Sequence, residues 1–174
     1  MVAEDLTALE ALGIAIRSEI DAQEIYKDLA GLTENHLLRD RFLNLYEEEK
    51  RHEILLEKMY KEMFPEVEPS LPSSQLPKEV LTSAARKKLN VNDVIKLAID
   101  EEKRSKEFYL DCISNIKDLS GQRMLRFLAD MEFSHQMILT AELEMIEKYP
   151  HYFLDQQNWE VETRLKSGKI KRRE

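Results

Sequence analysis

The sequence predicts an all-α protein: a four-helix bundle of two duplicated antiparallel helical hairpins joined by a long crossover. Three observations carry this expectation. Glycine is scarce, at 4 of 174 residues, and charged residues make up 34% of the chain, which suits helices with charge-rich outer faces. Apolar residues recur at alternating three- and four-residue steps over four long stretches, as a buried helix face requires. Finally, a polar set in the first half returns in the second at one constant offset. Glu19 returns as Glu102, Tyr26 as Tyr109, Glu49 as Glu132 and His52 as His135, and small Ala22 is matched by small Ser105.

The first helix is expected over about 5–31. Leu12, Ala15, Glu19, Ala22, Tyr26 and Leu29 share one face, Ile16 and Ile20 widen it, and Gly31 and Asn35 supply stop and turn chemistry. The second is expected over about 34–63, with Leu38, Phe42, Leu45, Glu49, His52, Leu56, Met59 and Met63 inward. Its other face carries Arg39, Asp40, Glu47, Glu48, Lys50, Arg51 and Lys58 and reads as solvated. The connecting turn is short, so these helices should be antiparallel neighbours.

Residues 64–90 break the pattern. Pro65, Pro69, Pro72 and Pro77 preclude a long helix, leaving room for a brief helical segment between Val80 and Lys88. So long a connection fits a chain that must return along the bundle, since a helix of about 28 residues spans roughly 42 Å.

The third helix is expected over about 90–117, capped by Asn90 or Asn92, with Val91, Ile95, Ala98, Glu102, Ser105, Tyr109 and Cys112 inward. The fourth, over about 119–148, buries Leu125, Leu128, Glu132, His135, Leu139 and Ile146. Met124, Phe127, Met131 and Ile138 thicken the stripe, Ser120 and Gly121 mark the preceding turn, and Pro150 ends the helix. The bundle therefore occupies 1–150 and a tail 151–174, whose Tyr152, Phe153, Leu154 and Trp159 suit docking on the bundle or on a second copy. The final Lys/Arg-rich residues read as a solvated end.

Composition excludes several classes. A net charge of −8 opposes general nucleic-acid affinity. No run of apolar residues reaches the length of a membrane span. The single Cys112 rules out an internal disulfide and a Cys-x-x-Cys knuckle. Met1 to Leu12 carries acids where a secretory signal carries bases and an apolar run, so a cytoplasmic location is expected.

The chemistry lies in six residues. Glu19, Glu49, Glu102 and Glu132 fall in the middle of four otherwise apolar stripes. Four carboxylates converging in a dry core would cost roughly several kcal/mol each, or would protonate. Two divalent cations cancel four carboxylates, and His52 and His135 add one imidazole nitrogen to each ion. Glu and His three apart share a helix face, so one turn supplies two ligands. A single Glu-x-x-His in so Glu-rich a helix carries little information, whereas the pair at equal offset carries much. One Glu from each of two helices with Glu-x-x-His from each of the other two is the di-metal carboxylate pattern of helical bundles. Oxygen-rich donors with one imidazole per ion suit iron or manganese better than a structural zinc site.

Tyr26 and Tyr109 lie two turns beyond Glu19 and Glu102. They are placed either to hydrogen-bond a ligand from the opposing helix or to serve as ordinary core tyrosines. His36 and His151 fall near helix ends and read as surface residues. Met59 and Met63 read as core filler, and Cys112 as a small buried residue without a nucleophilic role.

The segment Glu19-Ile20-Asp21-Ala22-Gln23-Glu24-Ile25-Tyr26, with Glu49-Lys50-Arg51-His52 and the matching Glu102, Ser105, Tyr109, Glu132 and His135, resembles the rubrerythrin branch of the ferritin-like superfamily over about 5–148. That resemblance implies a ferritin-like bundle with Glu49 and Glu132 bridging two irons, Glu19 and Glu102 as terminal ligands, and His52 and His135 each on one iron. Two departures stand out. Rubrerythrins proper carry a rubredoxin domain with four iron-binding cysteines, so electrons here are expected from a separate donor such as a rubredoxin. They also place a further ligand Glu where this chain has Ser105, and the remaining symmetric set looks equally like a bacterioferritin site.

The expected function is therefore a di-iron oxidoreductase acting on peroxide or dioxygen, of the kind used against oxidative stress, and as a homodimer. Two other readings stand beside it. One is iron binding, storage or delivery without turnover; the other is a helical interaction module holding manganese or zinc for stability alone.

Overall fold

The computed structural model describes residues 7–74, 76 and 82–149. Four long helices form the bundle: α1 (Ala8–Leu32), α2 (His36–Met63), α4 (Val91–Cys112) and α5 (Leu119–Lys148). A one-turn α3 (Ser83–Arg86) lies in the crossover, and a 3₁₀ turn (Ile113–Asn115) follows α4. No strand occurs among the described residues. The tail from residue 150, with the docking role expected for Tyr152, Phe153, Leu154 and Trp159, lies outside them.

Each long helix starts at a side-chain cap that satisfies otherwise orphaned amides. Thr7 and Glu10 form a reciprocal capping box on α1. The Asn35 side chain accepts from the Leu37 and Leu38 amides at 3.0 and 3.2 Å. Asn90, not Asn92, caps α4 through the Asp93 amide at 2.9 Å, and Asp118 caps α5 through the Gly121 amide at 2.8 Å. Gly121 thus belongs to the first turn of α5, not to the turn before it. A Cβ there would stand 2.7 Å from Ile116 Cγ2, so close packing is what requires glycine. The third long helix ends at Cys112, short of the expected 117, because the chain tightens into the 3₁₀ turn.

α1 packs chiefly on α2 and α4 on α5, and the two hairpins meet mainly through α1 and α4. Glu19 and Tyr26 of α1 meet Tyr109 and Glu102 of α4 respectively, so these two helices run antiparallel. Since α2 also runs against α1, it ends where α4 does, and the chain must travel back along the bundle to start α4. The crossover lies on α1 as it goes: a Cβ at Gly13 would come 3.0 Å from the Ser70 carbonyl oxygen. Further on, Arg86 is fully buried, and its Nε and Nη2 reach Asp28 at 2.7 Å and Glu24 at 3.2 Å. Ser83 donates to the same Asp28 at 2.6 Å. This anchor explains why α1 is buried on more than one face.

The core divides into two apolar layers. One gathers Leu12, Ile16, Leu56, Tyr60, Leu125 and Leu128, and the other Ile25, Leu29, Phe42, Leu45, Ile95 and Leu139. Between them, at mid-height on all four long helices, lies a polar stratum. The stripe on α5 is narrower than expected: Phe127 is 50% exposed, and Met124, Met131 and Ile138 are half-buried at its margins. Val91 is also only half-buried, while Val94, one turn further in, is fully buried.

Candidate metal centre

The polar stratum consists of Glu19, Glu49, His52, Glu102, Glu132 and His135, none more than 3% exposed. α1 and α4 contribute one Glu each, and α2 and α5 a Glu and a His one turn apart. Their donor atoms fall into two groups: Glu19, Glu49, His52 and Glu132, and Glu49, Glu102, Glu132 and His135. Within each group one donor atom per residue lies within 4.8 Å of all the others. Glu49 and Glu132 belong to both.

The distances show the same near-symmetry. His52 Nδ1 lies 2.9 Å from Glu49 Oε2, 3.2 Å from Glu132 Oε1 and 3.5 Å from Glu19 Oε2. His135 Nδ1 lies 2.8 Å from Glu49 Oε1, 3.4 Å from Glu132 Oε2 and 3.7 Å from Glu102 Oε2. The two imidazoles face each other, with centroids 5.5 Å apart and planes inclined by 14°.

Glu19 and Glu102 are each held from the other hairpin. The Tyr109 hydroxyl donates to Glu19 and the Tyr26 hydroxyl to Glu102, both contacts wholly buried. Ser105, at the position matching Ala22, hydrogen-bonds Ser18 at 2.9 Å.

Burial, then the charges of Glu132 and Glu49, pushes Glu19 well above the usual carboxylate range. Burial and then Glu49 and Glu132 do the same to Glu102. Burial alone would lower His52, but Glu132, Glu19 and Glu49 around it prevail and raise it to about 12. His135 is raised in the same way by Glu102, Glu132 and Glu49 against its burial. Burial would raise Glu49, yet His135 and His52 hold it down at about 2. Glu132 is lowered too, since His135 and His52 outweigh its burial and the Glu49 charge. With no ion bound, these shifts would spread protons over six groups that otherwise repel one another or are stripped of water.

Sharing does not satisfy every atom. Glu49 Oε1, Glu132 Oε1 and His135 Nδ1 are buried without a well-formed hydrogen bond, although the first and last are only 2.8 Å apart. Unpaired buried polar atoms cost about 1–3 kcal/mol each. Donors aimed at a common point fit a cation better than they fit each other. Four carboxylates and two imidazoles would balance two divalent ions and give each an oxygen-rich set with one nitrogen.

One residue near the centre departs from its expected place. Glu48, read as part of the solvated face of α2, accepts from His135 Nε2 at 2.7 Å, with its side chain 34% exposed. Helical spacing alone does not reveal this, because Glu48 flanks the buried stripe and reaches sideways to α5. His36 is exposed at the start of α2, and His151 lies outside the described residues. Cys112 is buried in the apolar layer that holds Leu12 and Ile16, and burial, with Asp111 nearby, pushes its thiol up to about 11.

Among the described residues, no helix is long and apolar enough to cross a membrane. A search of the curated proteins finds no match. Two solved structures are similar. A hypothetical protein from Pyrococcus furiosus is 35% identical with a TM-score of 0.71, covering 84% of this chain and 94% of its own. An uncharacterized conserved protein from Magnetospirillum magnetotacticum is 24% identical with a TM-score of 0.57, covering 80% and 95%, a likeness of fold alone. The Rubrerythrin family model matches residues 10–143, a span that holds all six clustered side chains and nearly the whole four-helix bundle. This chain belongs to the rubrerythrin family, within the ferritin-like superfamily.

Proposed function

We propose that the chain is a di-iron carboxylate protein that reduces peroxide or dioxygen with electrons from a separate donor protein such as a rubredoxin. The observation that supports this reading is the pair of donor groups sharing Glu49 and Glu132. Glu19 and His52 would complete one ion's set, and Glu102 and His135 the other's. Iron bound there supplies one-electron valence changes at two adjacent positions, which together provide the two electrons that take peroxide, with two protons, to two waters.

The chain's own residues supply the surroundings. Tyr26 and Tyr109 fix the terminal carboxylates in orientation, and the opposed hairpins keep the two imidazoles facing each other. The apolar layers on either side keep bulk water out, which strengthens every charge interaction inside. Iron is favoured over zinc by the preponderance of carboxylate oxygen and by the family to which the chain belongs.

Stopped-flow mixing of the reduced, iron-loaded protein with hydrogen peroxide tests the proposal. Oxidation much faster than that of free ferrous ion is expected, and a rate equal to that of the free ion would overturn it.

A further inference from the structure

The duplication equates Glu48 of α2 with Met131 of α5, and here the symmetry of the centre fails. His135 Nε2 donates to Glu48 at 2.7 Å, while its Nδ1 faces the shared carboxylates. His52 presents its own Nδ1 to the same carboxylates, but its Nε2 makes no hydrogen bond among the described residues. The residue at the corresponding place is a half-buried methionine, which offers no carboxylate.

A histidine whose far nitrogen donates to a carboxylate is fixed in one tautomer and one ring orientation, and its other nitrogen becomes a stronger donor. The clustered carboxylates and the tyrosines beside them recur in both halves: Glu19 with Glu102, Tyr26 with Tyr109, and Glu49 with Glu132. We propose that Glu48 is a positioning residue that makes the two ion positions unequal, so that the set containing His135 and Glu102 fills first and the set containing His52 and Glu19 second. This rests on the metal-centre reading above and adds an order of loading to it.

Glu48 also reaches from the centre toward solvent. Its side chain is one-third exposed, whereas the six clustered residues are buried. The His135 ring is thus joined to the surface by a single carboxylate, and Met131 gives His52 no such link.

Zinc is a suitable diamagnetic probe. The full chain, freed of metal and labelled with ¹⁵N at histidine, would be titrated with zinc by calorimetry and by NMR of the ring nitrogens. Two binding events are expected, separated by roughly 10–100-fold in affinity, with His135 signals moving in the first and His52 signals in the second. Glu48→Met, which makes the two halves alike, should weaken the first event to within a few-fold of the second while leaving two ions bound. Met131→Glu, which adds the missing carboxylate, should tighten the second.

Two equal events in the wild type, His52 signals moving first, or isotherms unchanged by both variants would overturn the inference and leave a two-ion centre standing. A wild-type chain that binds no zinc at these six residues would overturn the metal-centre reading, and this inference with it.

Discussion

Tyr109 on α4 donates its hydroxyl to Glu19 on α1, and the inverse contact joins Tyr26 on α1 to Glu102 on α4. Each phenol therefore reaches across the seam between hairpins to hold a carboxyl group of the other half. Tyr109→Phe keeps the ring in the apolar layer and removes only the donor, leaving a buried Glu19 oxygen without it. Urea unfolding of the metal-free variant should show a loss of about 1–3 kcal/mol. Metal affinity should fall roughly 10-fold or more for one ion and little for the other. Tyr26→Phe should reproduce both effects on the opposite half. Unchanged unfolding and unchanged metal binding in both variants would mean that the phenols merely fill space.

Glu49 and Glu132 belong to both donor groups, while Glu19 and Glu102 each belong to one. This difference predicts distinct stoichiometries. Glu132→Gln keeps the shape of the side chain but removes the charge shared by both ions, so elemental analysis after dialysis should find both lost. Glu19→Gln should retain one ion, held by Glu49, Glu102, Glu132 and His135. Equal losses in the two variants would contradict the bridging arrangement.

The proton distribution of the metal-free centre fixes its pH dependence. Glu19 and Glu102 hold protons well above the ordinary 4.5, and His52 holds one up to about 12 against an ordinary 6.5. For all of these the folded state binds protons that the unfolded chain has released, so stability falls as pH rises. The decline begins above about 4.5 with the two acids and steepens above about 6.5 as the histidines join. Glu49, held at about 2, acts oppositely: its contribution is present above 4.5 and is lost as pH falls toward 2. Melting of chelator-treated protein should therefore be highest on the mildly acidic side and drop toward alkaline pH. Metal competes with the same protons, so loading should release protons and affinity should rise with pH. Calorimetry in buffers of different ionisation enthalpy measures that release, and a value near zero would refute the charge distribution.

How much of this could be read from the chain depended on whether periodicity governed the feature. The clustering of the six central residues is legible because they repeat at one offset and sit on stripes that burial would otherwise make apolar; the same offset marks Tyr26 and Tyr109 but leaves open whether their hydroxyls bond across the seam or the rings merely fill the core. Local chemistry narrows the cap of α4 to Asn90 or Asn92, and the fold selects Asn90. Glu48 is not legible, because a residue at the edge of a stripe can turn to solvent or to the next helix, and the choice depends on where His135 stands. Phe127 was expected inward, but α5 meets mainly α4, with only light contact to α2, so its buried arc is narrower than its apolar residues suggest. Arg86 is not legible either: a lone arginine in a Pro-rich connection carries no sequence sign that Asp28 lies opposite.

That arginine gives the last prediction. Arg86 is fully buried, with Asp28, Glu24 and Ser83 gathered around the contact that ties the crossover to α1. The net worth of such a pair is small, because desolvation of both charges offsets their attraction, but removing one partner strands the other. Arg86→Ala leaves the Asp28 carboxylate buried without its main cation, and urea unfolding should show a loss of about 3–5 kcal/mol. Replacing both, Arg86→Met with Asp28→Leu, should recover most of that loss, since neither charge then remains to be solvated. The six central side chains lie on the long helices and not on the crossover, so metal stoichiometry should be unchanged in the double variant. If the double variant were as unstable as the single one, the contact would be holding the crossover by its specific geometry and not merely by neutralising charge.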